Sequence, residues 1–167
     1  MSFTIYDAAI PPCIHTLSRL SAILEKGAAD AEARKIDPTV FLTARLAPDM
    51  FALARQVQVV SDTAKGCARL AGVEVPAYAD TETSFAELQE RIKKTVSFLQ
   101  SLDASAFDGA ETRTITLKMR TGDIHMSGHD YVTKFVLPNL YFHAVTAYDI
   151  LRHNGVAVGK MDFLGGA

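Results

Sequence analysis

No apolar run in these 167 residues approaches the roughly 20 residues that a membrane-spanning helix needs, so a membrane protein is not expected. Charge of either sign is not in excess. Seventeen Lys and Arg stand against 19 Asp and Glu, a formal net charge of −2, and no field builds up to attract nucleic acid or an anionic bilayer. Cysteine is scarce: Cys13 and Cys67 are too few for a disulfide framework. Both fall on apolar faces of expected helices and read as small buried side chains. The opening Met1-Ser2-Phe3-Thr4-Ile5-Tyr6-Asp7 has no basic stretch followed by an apolar one, so no signal peptide and a reducing cytoplasm are expected. Dinucleotide, P-loop, nucleophile-elbow and CxxC motifs are missing. So is the pair of Glu-x-x-His motifs that a di-iron bundle requires. The Ser, Cys and His inventory suggests no nucleophile with a base beside it.

What is present is apolar periodicity, in a chain of the length of one ordinary domain with 49% hydrophobic residues. A first helix is expected from near Ala9, with Pro11 and Pro12 in its first turn, where proline costs no hydrogen bond. Its stripe is Ile10, Ile14, Leu17, Ser21, Leu24 and Ala28. Asp37-Pro38 then reads as a cap and first residue of a short helix to about Leu46. The second long helix is expected to open at Pro48 and stop at Gly72, with Met50, Leu53, Val57, Val60, Ala64, Cys67 and Ala71 on its core face. Val73 to Thr83 reads as a loop with Pro76. Ser84 and Glu87 form a capping box for a third long helix, whose stripe is Phe85, Leu88, Ile92, Val96, Leu99 and Leu102.

The helical period breaks at Glu111. Thr112 to Met119 alternates polar and apolar residues and is rich in β-branching, Thr121-Gly122-Asp123 is a turn signal, and Ile124-His125-Met126 can pair back. A small β-hairpin is expected there, with an irregular loop as the alternative. Ser127 and Asp130 cap a fourth long helix that runs to Asn154, ends on Gly155, and is kinked or broken by Pro138. Val156 to Leu164 carries five apolar side chains and is expected to pack back. The expected fold is all-α, a four-helix bundle in one domain spanning residues 1–167.

The chemistry candidates are few. His143 lies at the margin of the apolar arc of the fourth helix, one turn beyond Asn139. It reads either as a core-edge histidine bonded to a neighbour or as a ligand or base. His125 and His129 have metal-ligand spacing, but Ser127 and Gly128 between them mark a helix start. On the second helix Asp49, Gln56 and Thr63 recur at sevenfold spacing beside the core face, and Gln58, Asp62, Lys65 and Arg69 lie on another side. A ligand pocket built from His143, Asn139, Asp49, Gln56, Gln58 and Asp62 is the resulting expectation, with His143 partly buried and hydrogen-bonded to one of the second-helix residues.

Three blocks carry a resemblance. They are Arg45-Leu46-Ala47-Pro48-Asp49-Met50 with Gln56-Val57-Gln58 and Asp62; Leu137-Pro138-Asn139-Leu140-Tyr141-Phe142-His143; and Tyr148 to Val156 with Gly159-Lys160-Met161-Asp162-Phe163-Leu164-Gly165. Over nearly the whole chain they resemble a bacterial domain-of-unknown-function family in the DinB/YfiT-like superfamily of four-helix bundles. That resemblance implies metal-dependent transfer, often involving small thiols, with three histidines as ligands, one on the second helix and two on the last, four residues apart. Pro48 to Ala71 holds no histidine, and Asn139 and Ala147 flank His143 at four residues. The expectation is therefore no tightly bound transition metal, since Asn139 is a poor ligand for one. No cofactor is expected. The leading function is small-molecule binding or homodimer formation, with no nucleic-acid or membrane partner. The alternative is a divergent metal-dependent transferase in which His143 survives as a ligand.

Overall fold

The computed structural model describes residues 3–119 and 121–166. Helix α1, Ile5–Ala33, begins four residues earlier than the sequence suggested. Thr4 and Asp7 set that start: the Thr4 side chain accepts the Asp7 amide, and the Asp7 carboxylate accepts the Thr4 amide at 2.9 Å. Pro11 and Pro12 therefore sit inside the helix, beyond its first turn. Ile10, Cys13, Leu17, Leu20 and Leu24 form its fully buried stripe.

Asp37 caps α2, Pro38–Thr43, by accepting the Thr39 amide at 2.9 Å. The next helix does not open at Pro48. Residues 44–52 fold instead as a closed loop, with Met50 N–H on Ala47 O and Leu53 N–H on Ala44 O, both at 3.0 Å, and the Arg45 guanidinium on Met50 O. Only then does α3, Leu53–Lys65, begin, and it tightens into a 3-10 turn, Gly66–Ala71. Gly72 ends it at φ +69°, a left-handed conformation that costs glycine little. Helix α4, Phe85–Gln100, starts on the expected Ser84–Glu87 capping box.

A further 3-10 turn, Ala104–Phe107, leads to the hairpin. Strand β1, Thr114–Met119, pairs antiparallel with β2, Gly122–Ser127, in the register Thr114↔Ser127, Thr116↔His125 and Lys118↔Asp123. Ile115 and Leu117 are buried while Thr114, Thr116 and Lys118 face out, which is the alternation of the sequence realised as a pleat.

Ser127 caps the one-turn helix α5, Gly128–Asp130. A π-helical segment, Tyr131–Val136, follows and runs into α6, Leu137–His153. The Leu137 amide reaches back five residues to Val132 O. Pro138 has no amide to donate one turn back, so the anticipated irregularity takes the form of a widened turn ahead of it. Tail helix α7, Lys160–Leu164, lies against α1. Lys26 pairs with Asp162 at 2.6 Å, Arg19 Nε donates to Asp162 O, His15 meets Leu164 O, and Phe163 meets Tyr148 edge to face.

The protein is thus mostly helical with one small antiparallel sheet. Helix α3 packs most extensively on α6, α1 on α4 and α6, and α4 on α3. Their inward faces share one apolar core. Among the described residues no helix is long and apolar enough to cross a membrane.

Candidate functional site

Two polar arrangements interrupt the surface of α3, and the sequence-derived candidates divide between them. The first is a seam along α3 and α6. His143, 9% exposed, has Nδ1 2.6 Å from Gln56 Oε1. Gln56 is oriented by its own Nε2, which donates to Phe51 O at 2.9 Å. Its Oε1 therefore faces the ring, and His143 Nδ1–H is the donor. Further along the same helix pair, Asn139 Nδ2 donates to Thr63 Oγ1 at 2.8 Å. Gln56 and Thr63, two turns apart, project the same way from α3, as their sevenfold spacing suggested.

Phe51 stacks on the His143 ring with centroids 6.2 Å apart, and Phe142 meets it edge-on at 5.1 Å. Burial disfavours the charged ring, and the nearby Arg55 charge adds to that, so the imidazole titrates below its ordinary 6.5. With Nδ1–H committed to Gln56, the ring is a neutral acceptor through Nε2.

The second arrangement surrounds Arg91, which the sequence reading missed. Arg91 rises from α4 beside Leu88 and Thr95, on the helix's apolar side, and is 4% exposed. Its guanidinium meets Asp62 at 2.7 Å, Asp80 at 3.0 Å and Glu82 at 2.8 Å, and donates to Ala79 O at 3.0 Å. Lys65 joins Asp62 at 2.7 Å. Gln58 Nε2 donates to Glu82 Oε2 at 2.9 Å, and Arg55 bonds both Gln58 and Asp80. Burial pushes Glu82 up, but hydrogen bonds from Arg91 and Gln58 outweigh it and hold the carboxyl below its usual range. Tyr78 lies between the Lys65 and Lys94 ammonium groups, 4.0 and 4.2 Å from its centroid. These contacts strap the 77–82 loop onto α3 and α4. A charged residue at helical spacing from Leu88 and Thr95 was the one sequence signal for it.

Gln58 and Asp62 thus belong to the Arg91 cluster and not to the His143 seam. Asp49 belongs to neither. It was extrapolated along a helix that starts only at Leu53, and it is exposed in the 44–52 loop. His125, on β2, bonds Thr116 Oγ1 at 2.9 Å, and exposed His129 lies beside Asp130, so that histidine pair spans two elements and does not converge.

A groove of 560 Å³ joins the two arrangements. Its polar wall is Arg55, Asp62, Thr63, Arg69, Lys118 and Asn139, and Val59, Leu117 and Phe135 supply apolar surface. It lies between α3, α6 and the hairpin.

The three-histidine metal set implied by the superfamily resemblance does not fit these residues. The seam offers one imidazole, already tied by Nδ1 to an amide, together with amide and hydroxyl groups. Among the described residues, no group of three or more His, Cys, Asp or Glu side chains is placed to hold a metal ion; the three acids around Arg91 are taken up by its guanidinium. The Cys13 and Cys67 thiols, 3.8 Å apart, are fully buried in the core, and their mutual contact and burial push the Cys13 thiol well up.

The family model described as a domain of unknown function (DUF1993) matches residues 5–164. The crystal structure of a DinB family member from Shewanella denitrificans is 43% identical and superposes with a TM-score of 0.91, over 97% of this chain and 92% of that one. No curated protein matches. With a family model over nearly its whole length and a fold shared with that neighbour, the chain belongs to the DUF1993 family of domains of unknown function, within the DinB-like superfamily.

Proposed function

We propose that the protein is a one-domain four-helix bundle, formed by α1, α3, α4 and α6, that binds a small molecule without a catalytic transition metal. The groove between α3, α6 and the hairpin is the ligand seat. The observation that carries this reading is the Thr63–Asn139 pair, which belongs to the polar seam and also lines the groove. Convergent polar groups beside an apolar wall, in a concavity of this size, suit small-ligand binding. Thr63, Asn139 and the two arginines would orient the ligand, and Val59, Leu117 and Phe135 would cover its apolar part.

The test is a saturation-transfer NMR screen of small polar molecules against the protein in EDTA, repeated with Asn139→Leu. The reading expects compounds whose signal is lost in the variant. It fails if no compound responds to that substitution.

A second reading, association into a homodimer, is favoured by the outer face of α6. Tyr141, Phe142 and Val145 are exposed there, Phe142 by 57%, and Phe51 continues the apolar surface. Sedimentation equilibrium should give twice the chain mass for the wild type and the chain mass for Phe142→Glu. Monomeric wild-type protein would remove this reading.

A further inference from the structure

The charges around the groove do not cancel. Asp62, the one acid among the described residues of its wall, has its Oδ1 held by Lys65 and Arg91, both at 2.7 Å. Arg55 is tied to Asp80 and Gln58. Arg69 has no such partner among the described residues. It makes two long contacts of 3.4 Å, to Gly66 O and the Tyr131 hydroxyl, and no ion pair. The Tyr131 hydroxyl donates to Gly66 O at 3.0 Å and is pushed by burial up to about 12, so it stays neutral and brings no negative charge to Arg69. Lys118 stands opposite Asp123 in the hairpin register, yet forms no ion pair among the described residues. Thr63 accepts from Asn139, which leaves its own hydroxyl proton free to donate. A protein of net charge −2 therefore presents a groove with two uncancelled cations and a hydroxyl donor.

We propose that this groove selects a small oxyanion, a carboxylate or phosphate group of a small molecule, which Arg69 and Lys118 bind by charge-assisted hydrogen bonds and Thr63 orients. The half-buried guanidinium of Arg69 gives the directional contact, since its planar donors match an oxyanion edge. Lys118, exposed on β1, acts as a point charge at the mouth. The inference rests on the reading of the groove as a ligand seat and specifies what that seat takes.

The experiment is a titration of ¹⁵N-labelled protein at constant ionic strength with sodium phosphate, sodium succinate and neutral succinamide. Saturable shifts at Thr63, Arg69 and Asn139 are expected with an anion, and binding should weaken tenfold or more in Arg69→Gln. Lys118→Gln, an exposed change that leaves the core untouched, should weaken it severalfold. Response to phosphate alone assigns a phosphoryl ligand, and response to succinate alone a carboxylate. Shifts with succinamide but with neither anion would overturn the oxyanion assignment and leave the ligand seat standing. Equal binding by both variants and the wild type would also overturn it. Silence from all three probes would count against this inference only, because the wider compound screen tests the seat separately.

Discussion

His143 Nδ1 lies 2.6 Å from Gln56 Oε1, across the contact between α3 and α6, while Gln56 Nε2 is fixed on Phe51 O. One glutamine thereby links the closed 44–52 loop, the start of α3 and the middle of α6. Gln56→Leu leaves the His143 Nδ1–H without an acceptor, and an unmet buried donor costs about 1–3 kcal/mol. Urea unfolding of Gln56→Leu, His143→Phe and the double variant should show a coupling of about 1 kcal/mol between the two positions. Strict additivity would show that the bond contributes nothing.

The His143 imidazole also sets a pH dependence. Its folded value lies below the ordinary 6.5 because burial and Arg55 disfavour the charged ring. The unfolded chain thus takes up this proton at a higher pH than the folded one. The stability it contributes is full above pH 6.5 and declines as pH falls through the folded value. Wild type minus His143→Gln stability, measured from pH 8 down to about pH 5, should narrow on the acid side, where free histidine charges. A difference independent of pH would contradict the assignment.

Arg91 holds three carboxylates from its buried position. Removing one partner of a buried ion pair costs about 3–5 kcal/mol. Asp62 and Asp80 are 37% and 36% exposed, so solvent screening reduces this, and Arg91→Met should lose about 2–3 kcal/mol. Amide exchange in residues 77–82 should speed up with it, because Arg91 also anchors Ala79 O. Unchanged exchange there would show that the loop is held by something else.

The tail packs back as expected, although Met161 and Leu164, two of its five apolar side chains, stay exposed. Val156 and Val158 are buried, and α7 is fixed through Asp162 and Phe163. Burying a valine contributes about 1.5–3 kcal/mol, and a domain of this size shifts by roughly 2–4 °C per kcal/mol. The entropy of ordering the tail offsets part of this, so ending the chain after Asn154 should lower the melting temperature by roughly 5–10 °C. No change would mean that these contacts are idle.

How much of this was legible in the sequence depends on the residue. The stop at Gly72, the capping box at Ser84 and the pleat of Ile115 and Leu117 were readable, because each rests on local chemistry over two to four residues. The seam was half readable: sevenfold spacing puts Gln56 and Thr63 on one side of α3, and His143 was visible at the edge of its stripe. Asp49 failed because Pro48 looked like a helix opener, whereas Arg45 closes the segment on Met50 O, a contact that no spacing rule reveals. The start of α1 failed because two prolines outweighed the subtler Thr4–Asp7 box. The Arg91 cluster joins α3, α4 and a loop that are distant in sequence, so only the folded chain brings its acids together.

The α3–α6 seam is a hydrogen-bonded polar site, and the function proposed for it is to serve a ligand groove in place of a metal centre. The most direct test is to equilibrate the purified protein with Zn²⁺ and Ni²⁺, dialyse it, measure bound metal by elemental analysis, and repeat the ligand titrations with and without EDTA. The account predicts metal well below one ion per chain and ligand binding unaffected by EDTA. One tightly held ion per chain that disappears in His143→Ala, or ligand binding that EDTA abolishes, would contradict it.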